Sequence, residues 1–482
     1  MRLHLFAAAT ALTLALAGCA NSGGLRPDGT PIDPSTLKAG RSLAGITLSP
    51  AAWPAQDWWN GLNDAQLSAL IEEALKDNPG LAIADARARQ AQAEVGIADA
   101  ARGPTVNAGA SVAGARLPDG LLSPESHFAA AKYGYASFNW GLDLWGGKRA
   151  AWQAALGQAR AAEIEARAAR IELSGNVARG YVQLGYAYTQ QDLAKAELER
   201  ADKARQLTRQ RVAAGIDSQV QLKQGDAEVA SAQREQAVAN RAIDAARSAL
   251  SVLLGKGPDR GLDIIRPQAL APAALAVPTS LPVELLGHRA DLVAARWRVE
   301  AAGKDIKVAK TEFLPNVNLG AMAGLLSLGG GNLFEASSRF YEFGPTLSLP
   351  IFDGGRLRAN LSGKDAQYDI AVAQYNQTLV GALNQVADDV SAQQSLDQQL
   401  AAQQRALDAA RQAWDLAQQR YQAGVGSYLE ALSVRQQLLV AEQAMAALQA
   451  QHIDISIQLI QSLGGGYVPQ ASDVPPSSSS HS

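Results

Sequence analysis

Two stretches, about 148–213 and about 356–422, are filled with Ala, Gln, Leu, Arg and Glu. These are strong helix formers. A helix of that length would run to about 100 Å at 1.5 Å per residue. It has no place in a compact globule, but it suits a coiled-coil strut or the wall of a tube. The two stretches are copies. Arg211-Val-Ala-Ala-Gly215 is echoed by Arg420-Tyr-Gln-Ala-Gly424, Trp145-Gly146-Gly147 by Asp353-Gly354-Gly355, and Pro104 by Pro315. The chain therefore reads as an internal duplication, 62–255 and 283–464, joined by a Pro- and Ala-rich linker, 256–282. Each half carries a first helix (64–101; 284–313), two strand-like runs, the long helix, a tight glycine turn and a last helix (217–254; 427–463).

The strand-like runs are 104–114, 133–145, 315–325 and 339–351, and each alternates apolar with polar or small residues. In 133–145, for example, Ala136, Phe138, Trp140, Leu142 and Leu144 alternate with Tyr135, Ser137, Asn139 and Asp143. Period-2 alternation over about ten residues is the weak signature of a transmembrane β-strand, and equally that of a soluble strand with one wet face. The start of the chain favours the membrane. Residues 1–18 read as a signal peptide, with Arg2 before an apolar run from Leu5 to Ala17. Leu16-Ala17-Gly18-Cys19 resembles a lipobox, which predicts lipidation at Cys19 and a lipidated N-terminal segment, 19–61. In the lipoprotein families this motif resembles, Asp after the cysteine tends to retain the protein at the inner membrane, so the resemblance implies that Ala20 favours the outer one. No later apolar stretch is long enough for a spanning helix. Four strands cannot close a barrel, because outer-membrane barrels begin at about eight, and an open edge is not tolerated in lipid. Copies must pool their strands: two would supply eight, with an interior filled by side chains, and three would supply twelve, with room for a pore, which better fits long helices forming a tube below.

Composition narrows the chemistry. Lys+Arg 43 against Asp+Glu 46 leaves a net charge of −3, which gives no support for a nucleic-acid partner. One cysteine excludes an internal disulfide framework, and the five histidines are scattered, so no metal and no cofactor beyond the lipid on Cys19 is expected. No nucleophile elbow, phosphate loop or metalloprotease motif is present, so an enzyme is not expected. Gly329-Gly-Gly-Asn332 reads as a hairpin loop, Lys256 as part of a helix stop, Trp58-Trp59 as packing anchors, and 465–482 as a disordered tail.

Several motifs together resemble one family. They are Trp58-Trp59 with Leu62, Asp64 and Leu67; Ala74-Leu-Lys-Asp-Asn-Pro79; Leu281-Pro-Val-Glu-Leu-Leu with His288-Arg-Ala-Asp291; Leu349-Pro-Ile-Phe-Asp-Gly-Gly355; and Arg420-Tyr-Gln-Ala-Gly424 with Ser427-Tyr-Leu-Glu430. Over roughly 53–464 the chain resembles the TolC-like outer membrane factors, in their lipoprotein branch. The resemblance implies a membrane α+β fold: a trimeric tube with a shared twelve-stranded transmembrane β-barrel, four strands per chain, above a long periplasmic α-helical barrel. It implies a homotrimer in outer membrane lipid that takes small toxic solutes or drugs from an inner-membrane efflux pump through a periplasmic adaptor protein. Alternatives are the duct of a type I protein secretion system and a lipid-tethered periplasmic coiled-coil scaffold.

The resemblance also places the periplasmic aperture. The turns at Gly215 and Gly424 would face the adaptor. Tyr421 matches a family tyrosine that helps hold the mouth shut, and Glu430 matches an acidic ring position. Ser433 and Gln221 stand where aspartates are found elsewhere in the family, Gly426 stands where one member has an arginine, and Asp217 completes the expected aperture set. Three copies of Glu430 around a narrow axis would repel one another and attract cations.

Overall fold

The computed structural model describes residues 23–42, 53–116, 128–270, 281–328 and 331–473. The signal peptide, Cys19 and part of the linker lie outside the described residues. The described elements run, in chain order, α1 (Ala65–Asp77), α2 (Pro79–Ala100), β1 (Thr105–Arg116), β2 (Phe128–Leu142), α3 (Gly147–Ala213), α4 (Gln219–Leu253) and a short α5 (Asp259–Leu262). The second half follows with α6 (Leu281–His288), α7 (Ala290–Thr311), β3 (Asn316–Leu328), β4 (Arg339–Ser348), α8 (Arg356–Gln422) and α9 (Tyr428–Ser462). The long helices α3 and α8 have 67 residues each. No described helix is apolar enough over its length to cross a membrane.

The first helix of each half, expected as one piece, is two. Asn78 is extended and its side chain accepts the Gly80 N–H, with Pro79 opening α2. Proline has no N–H to donate and bars the preceding residue from helical angles, so the chain bends there. In the second half the break falls at Arg289, also extended. Strand-to-helix passages are alike in both halves. Asp143 accepts the N–H groups of Lys148 and Arg149, and Asp353 those of Gly355 and Leu357. Each long helix therefore starts with a carboxylate on its orphan donors, where the helix dipole also favours it.

The four strands form one antiparallel sheet in the order β1-β2-β3-β4, leaving β1 and β4 as edges. Register aligns Val106, Phe138, Ala321 and Phe343 across the sheet, so one face is apolar on all four strands. On that face Val106, Tyr341, Phe343 and Leu347 are 73%, 82%, 81% and 68% exposed. Such a face needs lipid, not water. Lys132, opposite Ser327, and Arg339, opposite Leu325, mark the end of this face farthest from the helices. Their long side chains suit a headgroup layer there.

The helical part is packed through small residues. Ala161 and Ile164 of α3 meet Ala290, Ala294 and Trp297 of α7 in one cluster. A larger core joins Trp58, Leu67 and Ile71 to Tyr181 of α3, Leu250 of α4 and Ile457 of α9. Trp58 is thus a packing anchor, with Trp59 edge-on at 5.9 Å. The N-terminal segment lies along α8: Gly29 N–H donates to Asp369 and Ile32 N–H to Asn376.

The tail departs from expectation. Residues 465–473, expected to be disordered, are folded onto the helices. Gly464, Gly465 and Gly466, at φ 102°, 58° and 81°, reverse the chain after α9. Tyr467 is buried, and the Asp473 carboxylate receives Arg167 in a two-point ion pair at 2.9 and 2.5 Å. The Tyr467 hydroxyl donates to the same carboxylate at 2.7 Å, and the Trp297 indole N–H to the Asp473 carbonyl at 2.8 Å. Asp473 stays below its ordinary value: burial pushes it up, but Arg167 and the Gln470 N–H outweigh that. The Pro- and Ser-rich run that drove the disorder reading lies beyond 473, outside the described residues.

Candidate functional site

The far end of the helices from the sheet is made by two hairpin turns. At each, a glycine in the left-handed region, Gly215 (φ 72°) and Gly424 (φ 76°), closes a Schellman motif. Ile216 N–H bonds the Arg211 carbonyl, and Val425 N–H the Arg420 carbonyl. The next helix is then capped by serine. Ser218 accepts the Gln221 N–H while the Gln221 side chain accepts the Ser218 N–H, a complete capping box. Ser427 accepts the Glu430 N–H. Ile216, Val220, Val425 and Leu429 stand 64%, 66%, 69% and 59% exposed, an apolar pair on each tip.

The hairpins are tied together at Asp217. Its side chain is only 4% exposed and receives Arg211 Nε at 2.9 Å. The Tyr421 hydroxyl donates to the same oxygen at 3.5 Å. The Arg211 guanidinium also lies over the Tyr421 ring at 5.1 Å, a cation–π contact. Burial pushes the Tyr421 phenol up, and the Asp217 charge adds to it, so it stays a neutral donor. Arg211 is held charged by its bond to Asp217.

Of the expected aperture residues, the structure brings Tyr421 and Asp217 together and leaves the others apart. Glu430 pairs with Arg420 of its own hairpin at 3.6 Å, both well exposed, so its charge is partly answered within the chain. Gln221 caps α4 and Ser433 is exposed on α9. Gly426, where one family member has an arginine, packs against Arg420 and Tyr421 of its own hairpin, and the arginine that reaches Asp217 is Arg211.

Sequence reasoning also missed a charge cluster behind the latch. Tyr421 packs against Tyr428 at 5.9 Å, and the Tyr428 hydroxyl donates to Glu228 at 3.4 Å. Arg200 bridges Glu228 (3.3 Å) and Glu197 (2.6 Å), and Arg435 bridges Glu197 (2.8 Å) and Glu442 (3.3 Å). Trp414 of α8 covers Arg435 at 5.9 Å. Four helices meet in this network, with three carboxylates on two guanidiniums. Burial pushes the Glu228 carboxyl up, against the pull of Arg200. Burial likewise raises the Tyr428 phenol, to about 12, with the Glu228 charge adding to it. Nothing here is arranged as a nucleophile with a base, and no group of metal-type side chains that could hold an ion occurs among the described residues.

Comparison with known proteins agrees with a tube rather than an enzyme. The outer membrane efflux protein family matches residues 70–256 and 281–465, one block in each half. The chain is 33% identical to the multidrug resistance outer membrane protein MdtP of Escherichia coli K12, over 94% of this chain and 95% of the relative. It is 34% identical to the toluene efflux pump outer membrane protein TtgI of Pseudomonas putida, over 84% and 86%. Among solved structures, VceC of Vibrio cholerae superposes with TM-score 0.79 at 36% identity, covering 86% of this chain and all of that one. The open-state MtrE channel of Neisseria gonorrhoeae superposes with TM-score 0.78 at 25% identity, over 92% and 98%. The four strands are thus one third of a shared transmembrane barrel, closed by three copies. Its apolar face meets lipid and its polar face the lumen, while the helices extend into the periplasm. The chain belongs to the outer membrane efflux protein family, whose members are non-enzymatic exit ducts of the outer membrane.

Proposed function

We propose that the hairpin end is the gated, partner-binding mouth of this duct, and that it passes small toxic organic solutes. The carrying observation is the Asp217 carboxylate, nearly fully covered and shared by an arginine of one half and a tyrosine of the other. It joins the two hairpins at their tips, beyond the Tyr428–Glu228 and Arg435–Glu197 contacts further up the helices. The exposed pairs Ile216/Val220 and Val425/Leu429 give six tips per trimer the same apolar character, which suits the end-on contact of a periplasmic adaptor reaching from an inner-membrane pump. The relatives named for multidrug resistance and toluene efflux support a solute cargo over a polypeptide. Lipidation of Cys19 would add an anchor of about 0.8 kcal/mol per buried CH₂ to a protein already held by its barrel.

The test pairs two variants in cells making adaptor and pump. Ile216→Asp with Val425→Asp should abolish cross-linking to the adaptor and restore sensitivity to toxic solutes, while trimers still form. Cys19→Ser should remove the acyl mass from the mature protein and leave most export intact. Full adaptor cross-linking by the double variant, or an unmodified Cys19 in the wild type, overturns the corresponding part.

A further inference from the structure

The polar face of the sheet carries aromatic rings that a water-filled lumen does not require. Tyr133 and Tyr135 lie on this face of β2, stacked at 5.9 Å with planes 17° apart. Tyr135 is opposite Gly109 on β1 and Gly324 on β3, and Gly324 is opposite Phe340 on β4. A Cβ added at Gly109 would come within 2.9 Å of the Tyr135 ring, and one at Gly324 within 2.9 Å of Phe340 Cε1. The two rings therefore lie down over the glycines. Both are half-buried, in contrast to Tyr341 and Phe343, which stand out from the lipid face.

One register row toward the helices, Asn107, Ser137, Met322 and Glu342 share a line. Diagonal neighbours in a sheet are about 7–8 Å apart, within reach of long and aromatic side chains. Glu342 is exposed and is the one charged side chain at the described strand positions of this face. Closing three copies turns these rows into two adjacent belts, an aromatic one lying flat and an acidic one. Glycine beneath each ring keeps the bore wide while presenting a π face. Aromatic faces and carboxylates attract the same kind of guest, a desolvated organic cation.

We propose that this inlay is a weak transit subsite for bulky aromatic cations in the exit barrel. It rests on the assignment of the chain as an exit duct. A weak site is what conduction demands, since a guest must enter and also leave.

The test uses the full-length trimer in planar bilayers, with tetraphenylphosphonium added on the barrel side and block scored as the fraction of potassium current remaining. Tetramethylammonium, which has the charge without the rings, is the control and should block far less. Glu342→Gln should weaken tetraphenylphosphonium block about three- to tenfold, and Phe340→Leu with Tyr135→Leu by a similar factor. Tyr135→Phe keeps the ring and should keep the block. Glu342→Gln changes one atom at an exposed site, so folding is not at stake in that arm. Equal block in wild type and Glu342→Gln, or equal block by the two cations, overturns the subsite and leaves the duct standing. A trimer that carries no potassium current even with the latch removed, as Asp217→Ala, overturns the duct itself.

Discussion

The two hairpins descend from one ancestor sequence, and at a shift of 209 residues the residues that make their turns correspond. Arg211 matches Arg420, Gly215 matches Gly424, Ile216 matches Val425 and Ser218 matches Ser427. What agrees builds the turn: a left-handed glycine, a serine cap, an apolar tip. What differs builds the latch. Asp217 has Gly426 as its counterpart, and Tyr421 has Val212. The first hairpin folds its arginine back onto its own aspartate at 2.9 Å, while the second has no acid there and lets Arg420 reach out to Glu430 at 3.6 Å in water. Duplication supplied the scaffold twice, and two unmatched substitutions made one copy the acceptor and the other the donor.

Three substitutions sharpen that contrast. Removing the shared acceptor should matter most. Asp217→Ala leaves Arg211 and the Tyr421 hydroxyl without their partner, at about 1–3 kcal/mol for a covered polar group left unpaired. The open population in single-channel recordings should rise about five- to a hundredfold. Channels as quiet as the wild type would mean that the mouth is held elsewhere. Tyr421→Phe keeps the ring under Arg211 and loses only the hydroxyl, a net of about 0.5–1.5 kcal/mol, so the rise should be about two- to tenfold in the same assay. Glu430→Gln should do least to closure, because an exposed pair is worth about 0–1 kcal/mol and salt screens it. Its readout is the reversal potential in a potassium chloride gradient. A clear loss of cation preference would show that Glu430 lines the axis despite Arg420, and an unchanged potential would leave it as a rim residue.

The architecture was largely legible because period and length are strong signals. The long helices were expected at 148–213 and 356–422 and run Gly147–Ala213 and Arg356–Gln422. The strand β2 was expected to begin at 133 but starts at Phe128, since Ala129 to Ala131 are too bland to show alternation. The latch was only half legible. Tyr421 and Asp217 could be named, but Arg211 looked like one side of a repeated turn motif, and nothing local shows that it folds back. Glu197, Arg200, Glu228 and Arg435 were invisible for a different reason. Charges at three- and four-residue spacing on a helix usually mark a wet face, and only the meeting of four helices makes this one partly dry. The tail misled because serine and proline near the end outweighed the single tyrosine and aspartate that fasten it.

That fastening bears on the order in which the protein can assemble. Arg167 and Asp473 are 306 residues apart, and Gly29 reaches Asp369 across 340. Contacts so distant in sequence form late, because the entropy of closing the intervening loop must be met first. A chain emerging N-terminus first can zip α3 against α4 early, yet the staple on α3 waits for Asp473, the last described residue. The first half cannot receive the Arg167 contact until Asp473 has been made, so a chain stopped short of it lacks both that ion pair and the carbonyl that accepts the Trp297 indole N–H.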